Sequence, residues 1–160
     1  MENASPAHGL FIGLVQDVCS ELRREAPELK IEPGVPMVLN LTVREVDFVI
    51  IFNPLQSLDR IYIYCCFGSI PERIEREVLY RLLEVNLALP LVQAAALGID
   101  PESHEVVYHF NGLLGDISAT TLLESLSMAA RQAEKWRSSY FLKDSEMPME
   151  RGAFGTPLIA

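Results

Sequence analysis

The sequence predicts a single α+β domain, helices packed on an antiparallel sheet in the order α-β-β-β-α-β-β-α. Three observations carry this prediction. Apolar residues recur with a helical period near both ends of the chain and once in the middle, and with a period of two in between. The first three strand-like runs are joined by connections too short to hold a crossover helix, which makes neighbouring strands antiparallel. With 160 residues, 49% of them hydrophobic, the chain can bury roughly two-thirds of its unfolded surface and needs neither metal nor disulfide to hold a core.

From Gly9 to Glu25, the residues Leu10, Phe11, Leu14, Val15, Val18 and Leu22 fall at three- and four-residue steps. Asp17, Glu21 and Arg24 lie between them, giving an amphipathic helix stopped near Pro27. Ile31-Glu32-Pro33-Gly34 reads as a turn. In Val35–Val43, Met37, Leu39, Leu41 and Val43 alternate with Val38, Asn40 and Thr42. Val46–Phe52 follows after a short turn at Arg44-Glu45, and Arg60–Phe67 after a loop opened by Asn53-Pro54. The second and third runs are apolar on both faces, more than a one-sided core requires.

Ser69 stands three residues before Glu72 with Pro71 between, the spacing of a capping box. The helix it opens runs to Leu87, with apolar positions at Ile74, Val78, Leu79, Leu82, Leu83, Val85 and Leu87. That stripe is broader than one sheet needs; its excess face either meets a partner subunit or is wholly internal. Leu97–Ile99 and Glu105–Phe110 flank the turn Asp100-Pro101-Glu102-Ser103 as a hairpin. Asp116 or Ser118 caps a last helix running through Leu122, Leu126 and Ala130 to Trp136. Residues 1–142 are expected to form the domain. Residues 143–160 hold Pro148, Gly152, Gly155 and Pro157 without any period, and read as a flexible C-terminal tail.

Thirteen Lys and Arg against 22 Asp and Glu give a net charge of −9. Nucleic acid and anionic membrane surfaces both need a basic patch that this balance does not supply. No run of about 18 apolar residues is present to span a bilayer, and Met1–Pro6 lacks the basic and apolar regions of a secretory signal. The cysteines are Cys19, Cys65 and Cys66, an odd number with a vicinal pair whose side chains leave a strand on opposite faces. A reduced, cytoplasmic protein is the simplest reading.

Catalytic chemistry finds few handles. His8, His104 and His109 are the histidines. The last two are one place too far apart for HExxH, and on a strand they point to opposite sides. Gly-rich phosphate loops, Walker loops and GxSxG are all missing. Glu72, Glu75, Glu77 and Glu84 interleave with Arg73, Arg76 and Arg81, as an ion-paired helix face does. No catalytic residue, cofactor site or metal ligand is assigned, and a binding protein is expected rather than an enzyme.

Three phrases then stand together: Leu79-Tyr80-Arg81-Leu82-Leu83-Glu84-Val85-Asn86-Leu87, Leu97-Gly98-Ile99-Asp100-Pro101-Glu102-Ser103, and the acidic-capped helix from Asp116 through Ala133-Glu134-Lys135-Trp136. In their order and spacing, from about Phe11 to Arg137, the chain resembles the class I type III secretion chaperones, the family of the Tir chaperone CesT. The resemblance implies a secretion-chaperone-like fold and a cytoplasmic bacterial homodimer without enzymatic activity or cofactor. Such a dimer binds the N-terminal chaperone-binding segment of a cognate effector, keeps it soluble and secretion-competent, and delivers it to the secretion apparatus, whose ATPase is a further partner.

It also implies a dimer interface on the second helix, at Ile74, Val78, Leu82, Leu83 and Val85. Effector-binding positions follow at Leu14 on the first helix and at Val38, Val49, Ile51, Tyr62 and Tyr64 in the meander. The strand positions hold if Leu39, Ile50 and Ile63 face the core, since a one-residue slip exchanges the faces. Ala88–Ala96 departs from the family, being more apolar than a plain loop. The alternative is a regulatory, anti-activator-type protein of the same fold that binds another regulator. A small enzyme with a pocket around His104 or His109 is the third reading.

Overall fold

The alternating runs resolve into a five-stranded antiparallel sheet in the structure, a computed structural model that describes residues 5–89 and 94–142. The elements are α1 (Pro6–Glu21), β1 (Met37–Val43), β2 (Val46–Phe52), β3 (Arg60–Ser69), a 3₁₀ turn (Glu72–Ile74), α2 (Glu75–Ala88), β4 (Ala96–Ile99), β5 (Glu105–Leu113) and α3 (Ala119–Ser139). This is the predicted order. Across the sheet the strands run β1-β2-β3-β5-β4, so β5 pairs with β3 and pushes β4 to the edge. The tail expected at 143–160 and part of the apolar stretch Ala88–Ala96 lie outside the described residues.

Strand register separates the two faces. Leu39 pairs with Ile50, Ile50 with Ile63 and Ile63 with Phe110, and all four side chains are buried. Against this face lies α3, which crosses β3 and packs beside α1. Phe11, Val15 and Val18 of α1 and Leu122, Leu126, Ala130 and Trp136 of α3 complete the core. Each fully buried large side chain contributes about 1.5–3 kcal/mol over leaving it in water. An aromatic group of Phe67, Tyr108, Trp136 and Phe141 closes the end nearest α2.

A serine caps each of two helices: α1 starts at Pro6 and ends at Glu21, earlier at both ends than the Gly9–Glu25 its periodicity predicts, and α3 starts after Ser118, one of its two predicted caps. Ser5 accepts the amide of Ala7 at 3.4 Å, and Ser118 accepts that of Thr121 at 3.1 Å. The second helix starts differently. Ser69 remains in the β3 ladder opposite Glu105, so its hydroxyl caps nothing; the 3₁₀ turn precedes α2, whose N-cap Ile74 makes no side-chain cap bond.

The apolar stripe of α2 is split between two uses. Val78, Leu82 and Val85 are buried within the chain itself, where α2 lies alongside β4. The Asn86 side chain exchanges two hydrogen bonds with Leu97 of β4: Nδ2 donates to its carbonyl at 2.8 Å, and its N–H donates to Oδ1 at 2.7 Å. Arg81 Nε donates to the Phe141 carbonyl at 2.7 Å, tying α2 to the end of α3. One edge of the sheet is therefore occupied by α2, while β1, among the described residues, pairs only with β2.

Candidate functional site

The bare edge strand is shaped by its hairpin. Arg44 and Glu45 connect β1 to β2 with φ of 53° and 60°, a two-residue turn of the type I′ class that matches strand twist but disfavours side chains other than Gly and Asn. Contacts from α3 hold it. Arg44 donates to the Glu134 carboxylate through Nε at 2.9 Å and Nη2 at 3.1 Å. That bond lowers the Glu134 pKa and raises that of Arg44. Arg137 donates to the carbonyls of Phe67, Cys66 and Glu45 at 2.7, 3.1 and 3.3 Å, spanning the bulge that Gly68 makes at φ 113°. Here glycine is needed, because a positive φ of this size strains any side chain.

A two-residue hairpin closes on a hydrogen-bonded pair, here Val43 with Val46, and the pairs then alternate along the strands. Leu41 and Leu39 thus bond to β2. Val38, Asn40 and Thr42 turn their N–H and C=O outward, away from the sheet. Beside this edge lies an open cleft of about 470 Å³, bounded by Cys19 at the end of α1, Arg24–Pro27, and Val38–Leu41. It combines unpaired main chain with apolar wall, the two features that bind an extended segment.

The sheet face opposite α1 and α3 is uncovered among the described residues. Two rows cross it: Val38, Ile51, Tyr62 and Asn111, then Asn40, Val49, Tyr64, His109 and Ala96. The rings of Tyr64 and His109 meet at a tilt of 36° with centroids 6.0 Å apart. Burial among these side chains lowers the His109 pKa. Cys66 lies on the same face and donates to Glu105 Oε2 at 3.2 Å. Burial and that carboxylate push its thiol up to about 11, while Cys65 points into the core.

The sequence-predicted binding residues distribute as follows. Val38 is 38% exposed, and Val49, Ile51, Tyr62 and Tyr64 are partly exposed on the uncovered face; these five share one surface. Leu14 does not join them. It is only 7% exposed because it falls on the buried side of α1 with Phe11 and Val18.

Of the positions expected at a dimer interface, Val78, Leu82 (4% exposed) and Val85 are consumed by the chain's own core, and Ile74 is packed against it. Leu83 stands out at 67% exposed, joined by Leu79 and by Leu87 at 90%. Sequence reading overlooked the cleft, since Arg24–Pro27 carry no motif and come close to β1 only through the tertiary fold.

Comparison with known proteins agrees with this geometry. The family model of the Tir chaperone protein (CesT) family matches residues 33–137. No curated protein matches the chain. Among solved structures, the Yersinia pestis type III secretion chaperone SycH in complex with a stable fragment of YscM2 superposes with a TM-score of 0.52 at 18% identity, covering 78% of this chain and 97% of that one. The HopA1–SchA chaperone–effector complex gives a TM-score of 0.59 at 15% identity, covering 86% and 100%. The ExsC–ExsE complex gives 0.58 at 13% identity, covering 82% and 94%. At these identities the likenesses establish the fold.

Proposed function

The chain belongs to the Tir chaperone protein (CesT) family, and we propose that it is a cytoplasmic bacterial type III secretion chaperone. It holds the N-terminal segment of a cognate effector in extended form, soluble and ready for secretion, and delivers it to the secretion apparatus and its ATPase. The observation that carries this reading is the β1 edge, whose outward main chain at Val38, Asn40 and Thr42 borders both the cleft below it and the apolar face beside it. A segment added as a strand there gains main-chain pairing without a demand on its sequence. Its alternate side chains reach the cleft and the surface of Val38, Val49, Ile51, Tyr62 and Tyr64. Ordering a flexible segment costs entropy, and apolar area of this kind offsets it. The action is binding and not catalysis.

The working form is a homodimer joined through the outer row of α2, Leu79, Leu83 and Leu87. Apolar side chains this exposed on one helix face favour association. Val78, Leu82 and Val85 support the interface only indirectly, by seating α2 on its own subunit.

Affinity purification of the tagged protein from its native bacterium, followed by calorimetry with the N-terminal fragment of the captured protein, tests the reading. A secreted protein whose N-terminal fragment suffices for binding is the expected result. Capture of a transcriptional regulator in its place favours the anti-activator alternative, and an isolated fragment that does not bind overturns the chaperone mechanism.

A further inference from the structure

Next to the Leu79–Leu83–Leu87 row, on the flank of α2 towards the end of α3, lies a cleft of about 540 Å³ lined by Arg76, Glu77, Tyr80, Arg81, Glu84 and Leu142. Leu142 is the last described residue. It is held at the cleft wall because Arg81 binds the carbonyl of Phe141, and because Tyr140 and Phe141 turn the chain with φ of 54° and 55° after α3 ends. Eighteen further residues, 143–160, continue from that point.

We propose that the first part of this continuation, Lys143–Met149, docks in cis into the cleft between α2 and the end of α3. Three observations support that occupant over any other. The segment begins at the cleft wall, so it meets the cleft at the millimolar effective concentration of a short tether, and weak contacts are enough to hold it.

Its charges match the lining, with Asp144 and Glu146 available to Arg76 and Lys143 to Glu77 and Glu84. Its methionines, Met147 and Met149, are adaptable apolar side chains. They suit the exposed ring of Tyr80, over which the Arg76 guanidinium already lies at 6.0 Å.

The family model ends at residue 137, so the segment lies beyond the part of the chain matched to that family. Docked there, it braces α2 beside the Leu79–Leu83–Leu87 row, and it leaves the β1 edge free.

Amide exchange on the full chain tests this. In the wild type, the amides of residues 144–147 should exchange about tenfold more slowly than in a synthetic peptide of residues 143–160, as expected for a segment docked most of the time. Tyr80→Ala and Arg76→Glu, both at exposed positions, should each return those amides towards the peptide rate while the melting temperature of the domain holds. Peptide-like exchange in the wild type overturns the proposal. So does protection that survives both substitutions, protection that vanishes on dilution to monomer, or protection that appears at Val38–Thr42 because the segment occupies the β1 edge instead.

Discussion

Substituting proline at adjacent inward and outward positions of β1 separates the edge's two roles. In Asn40→Pro the lost N–H is one that points away from the sheet, and edge positions of this kind tolerate proline. Leu39 before it is already extended, as a residue preceding proline must be. The fold should therefore lose only about 1 kcal/mol, mostly from the shift in φ.

Binding is another matter. A docked client strand loses one main-chain hydrogen bond, about 1 kcal/mol net, and keeps an unpaired carbonyl that costs at least as much again. Together these reach about 2 kcal/mol, or roughly a thirtyfold rise in Kd. Leu41→Pro reverses the pattern: it breaks the ladder opposite Phe48 and removes a side chain that is only 3% exposed. It should cost more than about 3 kcal/mol of stability. Urea denaturation and calorimetry with the captured client's N-terminal segment read the two quantities. If Asn40→Pro unfolds as readily as Leu41→Pro, or binds its client undiminished, the assignment of the free edge is wrong.

The remaining predictions concern α2, a thiol and an imidazole. Leu83→Glu should dissociate the dimer in analytical ultracentrifugation and leave the subunit folded, whereas Leu82→Glu places a carboxylate in the chain's own core and should cost several kcal/mol of stability. Because the Cys66 thiol titrates near 11, its thiolate is scarce near pH 8, and Ellman's reagent should modify it roughly a hundredfold more slowly than an ordinary cysteine. Glu105→Gln should raise that rate. His109 is neutral-favoring in the fold, since burial lowers its pKa; its contribution to stability is complete above its ordinary pKa and declines as pH falls below it. The stability difference between wild type and His109→Gln should be constant above pH 7 and move against the wild type by pH 5.5 in urea titrations.

Much of this architecture was legible because local signals agreed. The alternation in β1 to β3 placed Leu39, Ile50 and Ile63 inside and Val38, Val49, Ile51, Tyr62 and Tyr64 outside, where the structure has them. Ser118 caps α3 as its position suggests.

What was not legible depends on distant partners. The stripe on α2 could not reveal that β4 would take up Val78, Leu82 and Val85, because β5 inserts beside β3 and carries β4 to the edge. Leu14 has the same periodicity as its neighbours, and only the packing of α3 against α1 decides that it is buried. Ser69 had the spacing of a cap, but pairing with Glu105 kept it in the sheet. Arg44 and Glu45 occupy a turn that usually prefers Gly or Asn, and the residues that hold them, Glu134 and Arg137, come 90 or more positions later.

Amide hydrogen exchange at Val38, Asn40 and Thr42, measured with and without the captured client segment, tests the central claim most directly. In the free protein these outward N–H groups should exchange quickly, while Leu39 and Leu41 are protected by β2. Bound client should protect all three. Fast exchange at Val38, Asn40 and Thr42 in a saturated complex would show that the client binds elsewhere and would contradict the account.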